Sequence, residues 1–299
     1  MFVMKLDSLG AHQWTILRGG SSVEEARGLQ VDASGNVFVA GYTASTDLDS
    51  QSNAGDFDVF VMKFDSDGAH QWTILRGGSG DDFAYGLQVD ASGNVFVAGY
   101  TASTDLDNQS NAGDFDVFVM KFDSDGAHQW TILRGGPGDE FAYGLQVDAS
   151  GNVFVAGFTA STDLDSQSNA GNTDVFVMKF DSDGAHQWTI LRGGPGDEFA
   201  YGLQVDASGN VFVAGYTAST DLDNQSNAGD FDVFVMKFDS DGAHQWTILR
   251  GDSGDDFANG LQARCATTPS DVVLDVKFFD RVDEEAALSF TIGRPLILW

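Results

Sequence analysis

Residues 59–116 read VFVMKFDSDGAHQWTILRGGSGDDFAYGLQVDASGNVFVAGYTASTDLDNQSNAGDFD, and residues 117–174 repeat them with six changes, among them Ser79 to Pro137, Asp82 to Glu140 and Phe115 to Thr173. The 58-residue interval extends outward in both directions. It separates Trp14, Trp72, Trp130, Trp188 and Trp246, and likewise His12, His70, His128, His186 and His244. Arg18, Arg76, Arg134, Arg192 and Arg250 keep it too. Nearly the whole chain is one unit copied, and a repeat of this length decides the architecture before any local reading does.

Within the copy, four apolar or β-branched runs alternate with turn chemistry: 59–64 (VFVMKF), 70–76 (HQWTILR), 85–89 (YGLQV) and 94–101 (NVFVAGYT). Between them stand Asp65-Ser66-Asp67-Gly68, a glycine-rich loop opening on Gly77-Gly78, and Asp90-Ala91-Ser92-Gly93. Several runs are apolar at consecutive positions, as expected of strands covered on both faces, and no segment sustains a 3.6-residue period. Each copy therefore predicts a four-stranded antiparallel meander. Such a meander cannot bury both faces alone, and stacked copies make a β-propeller with one blade per copy.

The residues that build the blade also carry a resemblance. Asp58-Val-Phe-Val-Met-Lys, Gly77-Gly78 followed by Asp82, and Asp90-Ala-Ser-Gly-Asn-Val-Phe-Val-Ala-Gly99 recur in order from residue 2 to about residue 262. This succession resembles the bacterial β-propeller repeat called SBBP. One departure is Leu106-Asp107, where that family more often has Phe-Pro. The resemblance implies an all-β propeller module of the extracellular space or cell surface, and no single activity.

Taking the YGLQV type as the inner strand, the chain opens with third and fourth strands, continues through four complete blades, and ends with an inner strand near 260–263 and a second strand at 272–279. The two ends together predict a fifth, closing blade, which would leave a monomer without open edges. Residues 1–263 thus read as propeller repeats and 264–299 as a divergent tail. The start inside a blade and the abrupt departure after Gln262 keep open a second reading, a fragment of a larger surface protein.

Composition narrows the function. With 42% apolar residues the chain can build a core despite its net charge of −30, and a single cysteine, Cys265, excludes an internal disulfide framework. No apolar run is long enough to span a bilayer, residues 1–7 show no signal peptide, and nucleic-acid phosphates would be repelled. The charge belongs to the repeat: residues 59–116 hold nine aspartates against Lys63 and Arg76. Six of the nine, Asp81, Asp82, Asp105, Asp107, Asp114 and Asp116, fall on the end of the blade that carries the inter-blade link and the long loop.

That loop, 101–116, offers hard oxygen ligands suited to Ca²⁺. Over its copies the candidate metal set is Asp47, Asp49, Asp56, Asp58, Asp105, Asp107, Asp114, Asp116, Asp163, Asp165, Asp174, Asp221, Asp223, Asp230 and Asp232. The spacing does not match an EF-hand loop, and the same residue types make Asx-turns, so both readings stand. Arg76 is expected to pair with Asp81 or Asp82 of its own loop. The repeated tryptophan reads as inter-blade packing or, alternatively, a stacking surface for a sugar. The Asp65/Asp67 pair reads as turn chemistry, and Gly77-Gly78 lacks the lysine of a phosphate loop.

Two function classes follow. The first is a non-enzymatic binding or scaffold module that engages a protein or polysaccharide partner multivalently through an acidic face, without nucleic acid or membrane insertion. The second is a glycan-active or other hydrolytic propeller. Catalysis usually needs unlike residues to converge, whereas each blade here supplies the same set; only the tail, with Arg281, Asp283, Glu284 and Glu285, could break that symmetry.

Overall fold

The computed structural model of the chain describes residues 1–265, 272–280 and 285–292. Among them there is no helix, and the strands fall into repeated antiparallel sheets. Strands β1 (Phe2–Leu6) and β2 (His12–Leu17) pair with each other. The first four-stranded sheet follows in chain order: β3 (Glu24–Val31), β4 (Val37–Thr43), β5 (Asp58–Phe64) and β6 (His70–Arg76). The second is β7 (Asp82–Val89), β8 (Val95–Thr101), β9 (Asp116–Phe122) and β10 (His128–Arg134). The third comprises β11 (Glu140–Val147), β12 (Val153–Thr159), β13 (Asp174–Phe180) and β14 (His186–Arg192). The fourth comprises β15 (Glu198–Val205), β16 (Val211–Thr217), β17 (Asp232–Phe238) and β18 (His244–Arg250). These meanders are the blades of a β-propeller fold. The chain divides into two compact units, one ending at Leu145 and the other beginning at Gln146.

The last sheet differs from expectation. It contains β19 (Asp256–Cys265), β20 (Val272–Asp280) and β21 (Glu285–Ile292), in that order. The edge of β20 that the repeat pattern reserves for a third strand from the N terminus is taken by β21, a strand with no counterpart in the repeat. The pairing of N- and C-terminal strands in one closing blade is not among the described sheets. Arg281, Asp283 and Glu284 lie outside the described residues.

Within a blade, the VFVAGYT and DVFVMKF strands are buried along almost their whole length. Alternate residues serve opposite faces, so one sheet contributes to two cores. Phe38, Ala40, Val59 and Val61 pack with Ala84, Leu87, Val95, Val97, Leu106 and Phe118 of the next blade, with Trp72 and Ile74 against them. In the second unit Phe154, Ala156 and Val175 meet Ala200, Leu203 and Phe234 in the same way. The repeated tryptophan is therefore part of the seam between blades. A Cβ on Gly126, whose φ is +86°, would lie 3.2 Å from the Trp72 ring, and Lys63 Nζ extends past that ring to the carbonyl of Ser124 at 3.0 Å.

The inner strands come closest at one residue. A Cβ on Gly28 would stand 2.7 Å from Leu87 Cβ, one on Gly86 2.6 Å from Leu145 Cβ, and one on Gly202 2.7 Å from Leu261 Cβ. A bulge beside each glycine, between Ala84 and Gly86 in β7, leaves Tyr85 out of register. Gly86→Ala should therefore force the two strands apart and cost about 1–3 kcal/mol, read as a lowered melting temperature. An unchanged melt would show that the junction is not close-packed there.

Candidate binding face

Each blade has one end at which the second strand turns into the third and the fourth leads to the next blade; in the second blade Asp82, Thr101 and Asp116 are direct neighbours there. The loop 102–115 that projects from this end is ordered by a small hairpin. Leu106 is fully buried, bridges to Gln109, and encloses Asp107 (φ 50°) and Asn108 (φ 61°) in a turn with two left-handed residues. Proline could not adopt that φ, so a Phe-Pro pair at Leu106-Asp107 would not be compatible with this turn. The turn recurs at Asp49-Ser50, Asp165-Ser166 and Asp223-Asn224.

The turn aims Asp107 at the blade junction. Its carboxylate accepts from Arg76 Nε at 3.0 Å, from the other arm of the same guanidinium and from the Thr131 hydroxyl. His128 Nε2 meets that hydroxyl at 2.8 Å. Arg18 with Asp49 and Arg192 with Asp223 repeat the arrangement. This corrects the expected partner of Arg76: it pairs with Asp107, not with Asp81 or Asp82. The arginine ends the outer strand of one blade and meets the turn of the next, while Asp82 is enclosed by backbone. Burial opposes ionisation of Asp107, but the bonds from Arg76 and Thr131 outweigh it and hold the carboxyl below the usual range. Burial and the Arg76 charge push the His128 imidazole down.

Most of the other candidate metal ligands also accept hydrogen bonds. Asp105 Oδ1 accepts from Ser79 N at 2.7 Å and from its hydroxyl at 3.0 Å, which lowers the Asp105 pKa. Asp47 accepts from Ser21 N, Asp163 from Ser166 N and Asp221 from Asn224 N. Asp58, Asp116, Asp174 and Asp232 each accept two backbone N–H groups of the segment just before them, as Asp116 does from Ala112 at 2.7 Å and Gly113 at 3.0 Å. Thr189 holds Asp165. Seven of the candidates are exposed; Asp47, Asp105, Asp163 and Asp221 accept from backbone N–H groups, whereas Asp56, Asp114 and Asp230 hold none among the described residues. The loop thus spreads its carboxylates over separate partners, and among the described residues no three acidic, histidine or cysteine side chains converge as a metal site.

A second carboxyl pair lies deeper. The site of an absent Cβ on Gly77 is 2.5 Å from Asp58 Oδ1 and 2.8 Å from Asp82 Oδ2. The equivalents are Asp116 with Glu140 about Gly135, Asp174 with Glu198 about Gly193, and Asp232 with Asp256 about Gly251. Asp82 accepts from Gly78 N at 2.7 Å and Ser103 Oγ at 2.9 Å, so the glycine-rich loop donates to a carboxylate and not to phosphate. Burial, reinforced by Asp58, pushes Asp82 up to about 6 against those bonds. Asp65 is the turn residue expected, accepting from Asp67 N at 3.0 Å and Ala69 N at 2.8 Å.

Sequence reasoning overlooks the aromatic corner beside these loops. Phe57 lies 5.4 Å from Phe83 of the next inner strand, and Tyr42 meets both rings edge-on. The signal in the sequence is the Asp-Phe dipeptide recurring at 56–57, 114–115 and 230–231.

Comparison with known proteins agrees with this geometry. Two stretches, residues 71–107 and 187–223, match the SBBP β-propeller repeat. The regulatory protein FlaEY of Caulobacter vibrioides is 25% identical over 253 residues, spanning 76% of this chain but 26% of its own length. An uncharacterised WD repeat-containing protein of Acanthamoeba polyphaga mimivirus, L264, is 21% identical over 257 residues, 68% of this chain and 18% of that one. Among solved structures, a variant of the Synechocystis apocarotenoid oxygenase matches with a TM-score of 0.51 at 10% identity, covering 97% of this chain and 67% of its own, a likeness of fold alone.

Two measurements test the site. The raised pKa of Asp82 means that its stabilising contribution is complete below the unfolded value of 3.8 and is lost as pH rises through about 6. Asp82→Asn should therefore gain on the parent chain between about pH 4 and about pH 8, by roughly 3 kcal/mol at most; a pH-independent difference would contradict the buried acid. With the loop carboxylates committed, the melting temperature should be equal in chelator and in millimolar calcium, and a rise in calcium would restore the metal reading.

Proposed function

We propose that the chain is a non-enzymatic binding or scaffold module of the extracellular space or cell surface, engaging a protein or polysaccharide partner through the acidic loop end of its blades. The observation that carries this reading is the presentation of exposed Asp56, Asp114 and Asp230 at one repeat position of the first, second and fourth copies, together with the exposed Asp47, Asp105, Asp163 and Asp221 of the same loops. Weak, identical sites gain avidity from repetition without new contacts. Catalysis is disfavoured because each copy supplies the same groups in the same places, and the Thr131, His128 and Asp107 cluster is bound to Arg76 as a clamp between blades.

The location is inferred from the SBBP resemblance. Among the described residues no helix is long and apolar enough to cross a membrane. The net charge of −30 favours cationic groups on the partner and disfavours nucleic acid.

An array of peptides and glycans probed with the full chain tests the reading. Binding should weaken as ionic strength rises through the range in which the Debye length shrinks to about 3–10 Å, and no array component should be cleaved. Product formation would replace this function with the hydrolytic one, and salt-insensitive binding would remove the acidic face from it.

A further inference from the structure

We propose that the Asp-Phe corners at 56–57, 114–115 and 230–231 are docking subsites for a cationic peptide segment rich in arginine or lysine. The inference rests on the binding-module reading above and specifies its ligand chemistry. Two corners belong to the first compact unit and one to the second.

Each corner combines aromatic faces with carboxylates. Phe115 lies 5.5 Å from Phe141, and Tyr100 meets them edge-on at 5.5 Å and 4.7 Å. Phe231, Phe257 and Tyr216 repeat this at 5.5, 5.4 and 4.8 Å. Both phenylalanines of each corner remain partly exposed. The face of such a ring is its electron-rich side and attracts ammonium and guanidinium groups. Beside the rings of the first corner stand the exposed Asp56 and the neighbouring Asp81. Burial and the Asp56 charge push Asp81 up against the opposing effect of the Phe57 N–H, and its Oδ1 is shielded from solvent; the equivalent Asp139 Oδ1 accepts from Phe115 N at 3.3 Å. A cation at the corner would offset both penalties.

The chain contains its own precedent. Arg27 occupies the repeat position that Tyr85 fills in the next copy. Its guanidinium lies over the rings of Tyr42 at 5.7 Å and Tyr85 at 5.2 Å and pairs with Glu25 at 2.5 Å. An arginine held between tyrosine faces and a carboxylate is thus already part of this end of the first blade.

The third copy of the corner along the chain shows that these groups are surplus to folding. Asn172 and Thr173 replace Asp114 and Phe115, and Phe158 replaces Tyr100. Three of the six changes between adjacent copies fall on this one spot. The backbone frame is nevertheless kept: Glu198 N donates to Thr173 O at 2.8 Å, as Glu140 N does to Phe115 O at 2.8 Å and Asp82 N to Phe57 O at 2.7 Å. The acid and the ring at the other three corners are therefore not required to hold the loop.

The test uses the full chain and a fluorescent arginine-rich peptide at low ionic strength, with anisotropy as the readout and a melting curve for every variant. Asp56→Asn/Phe57→Thr, Asp114→Asn/Phe115→Thr and Asp230→Asn/Phe231→Thr each install the pair found at 172–173. Each should weaken peptide binding by about two- to fivefold with little change in melting temperature. The reverse pair, Asn172→Asp/Thr173→Phe, should tighten binding and decides the matter if the combined loss variant does not fold. Unchanged affinity in the folded loss and gain variants overturns the corners while leaving the acidic face standing. Binding of array polymers but not of the peptide, or equal competition by an amino-sugar polymer, overturns the peptide assignment. No binding by the parent chain to any of these overturns the underlying reading as well.

Discussion

The blades depend on how closely one inner strand can approach the next, and that distance is set at a glycine. Where Gly28 meets Leu87 and Gly86 meets Leu145, any side chain would strike the leucine Cβ. With the backbones that close, the VFVAGYT and DVFVMKF strands of neighbouring sheets interdigitate, and Phe38, Phe60, Phe96 and Phe118 lose all contact with water. The bulge that accompanies the glycine frees Tyr85 from the ladder and lets its ring pack 5.4 Å from Tyr100 and 4.8 Å from Tyr143. The aromatic corners at the loop end are built outward from that same approach.

The charge of the repeat is accommodated by giving most carboxylates a structural donor. Asp65 and Asp90 close turns, Asp107 clamps Arg76, and Asp58 holds the backbone leading into its own strand. A carboxylate that accepts two or three backbone N–H bonds is stabilised without any cation, so a chain this acidic can fold without neutralising itself. Burial sets the limit of this strategy. Asp82 sits fully enclosed, and its raised pKa records the cost of that burial, to which the neighbouring Asp58 charge adds. What remains fully exposed in residues 59–116 is a minority of the charge, with Asp67 in the turn at one end and Asp105 and Asp114 in the loop at the other.

The repeat made the strands, their order and the tryptophan seam legible from residue types alone, because hydrophobic runs and turn residues recur four times over. The inner strand extends further than its YGLQV core suggests, back to Asp82, because Phe83 and Asp82 pair with Tyr100 and Thr101 despite the bulge between. Partners were harder to read. Arg76 lies close in sequence to Asp81 and Asp82, yet its carboxylate is 31 residues away, in the loop of the next blade. In a tandem array the relevant neighbour of a residue belongs to the adjacent copy, so nearness along the chain misleads at every junction. The candidate calcium ligands failed to converge for a related reason: composition counts oxygens, whereas the left-handed turn at Asp107 and Asn108 decides where each one points. Strand β21 was not foreseen because it lies where the repeat, and with it the periodic signal, has ended.

Because the junctions at Gly28–Leu87, Gly86–Leu145 and Gly202–Leu261 use the same glycine and leucine on facing strands, their two halves are interchangeable among copies. Gly28 would meet Leu145 with the same chemistry with which it meets Leu87. Removing one whole 58-residue copy, or inserting another, joins surfaces that already fit, and the gene can shorten or lengthen by recombination between its own repeats without having to evolve a new interface.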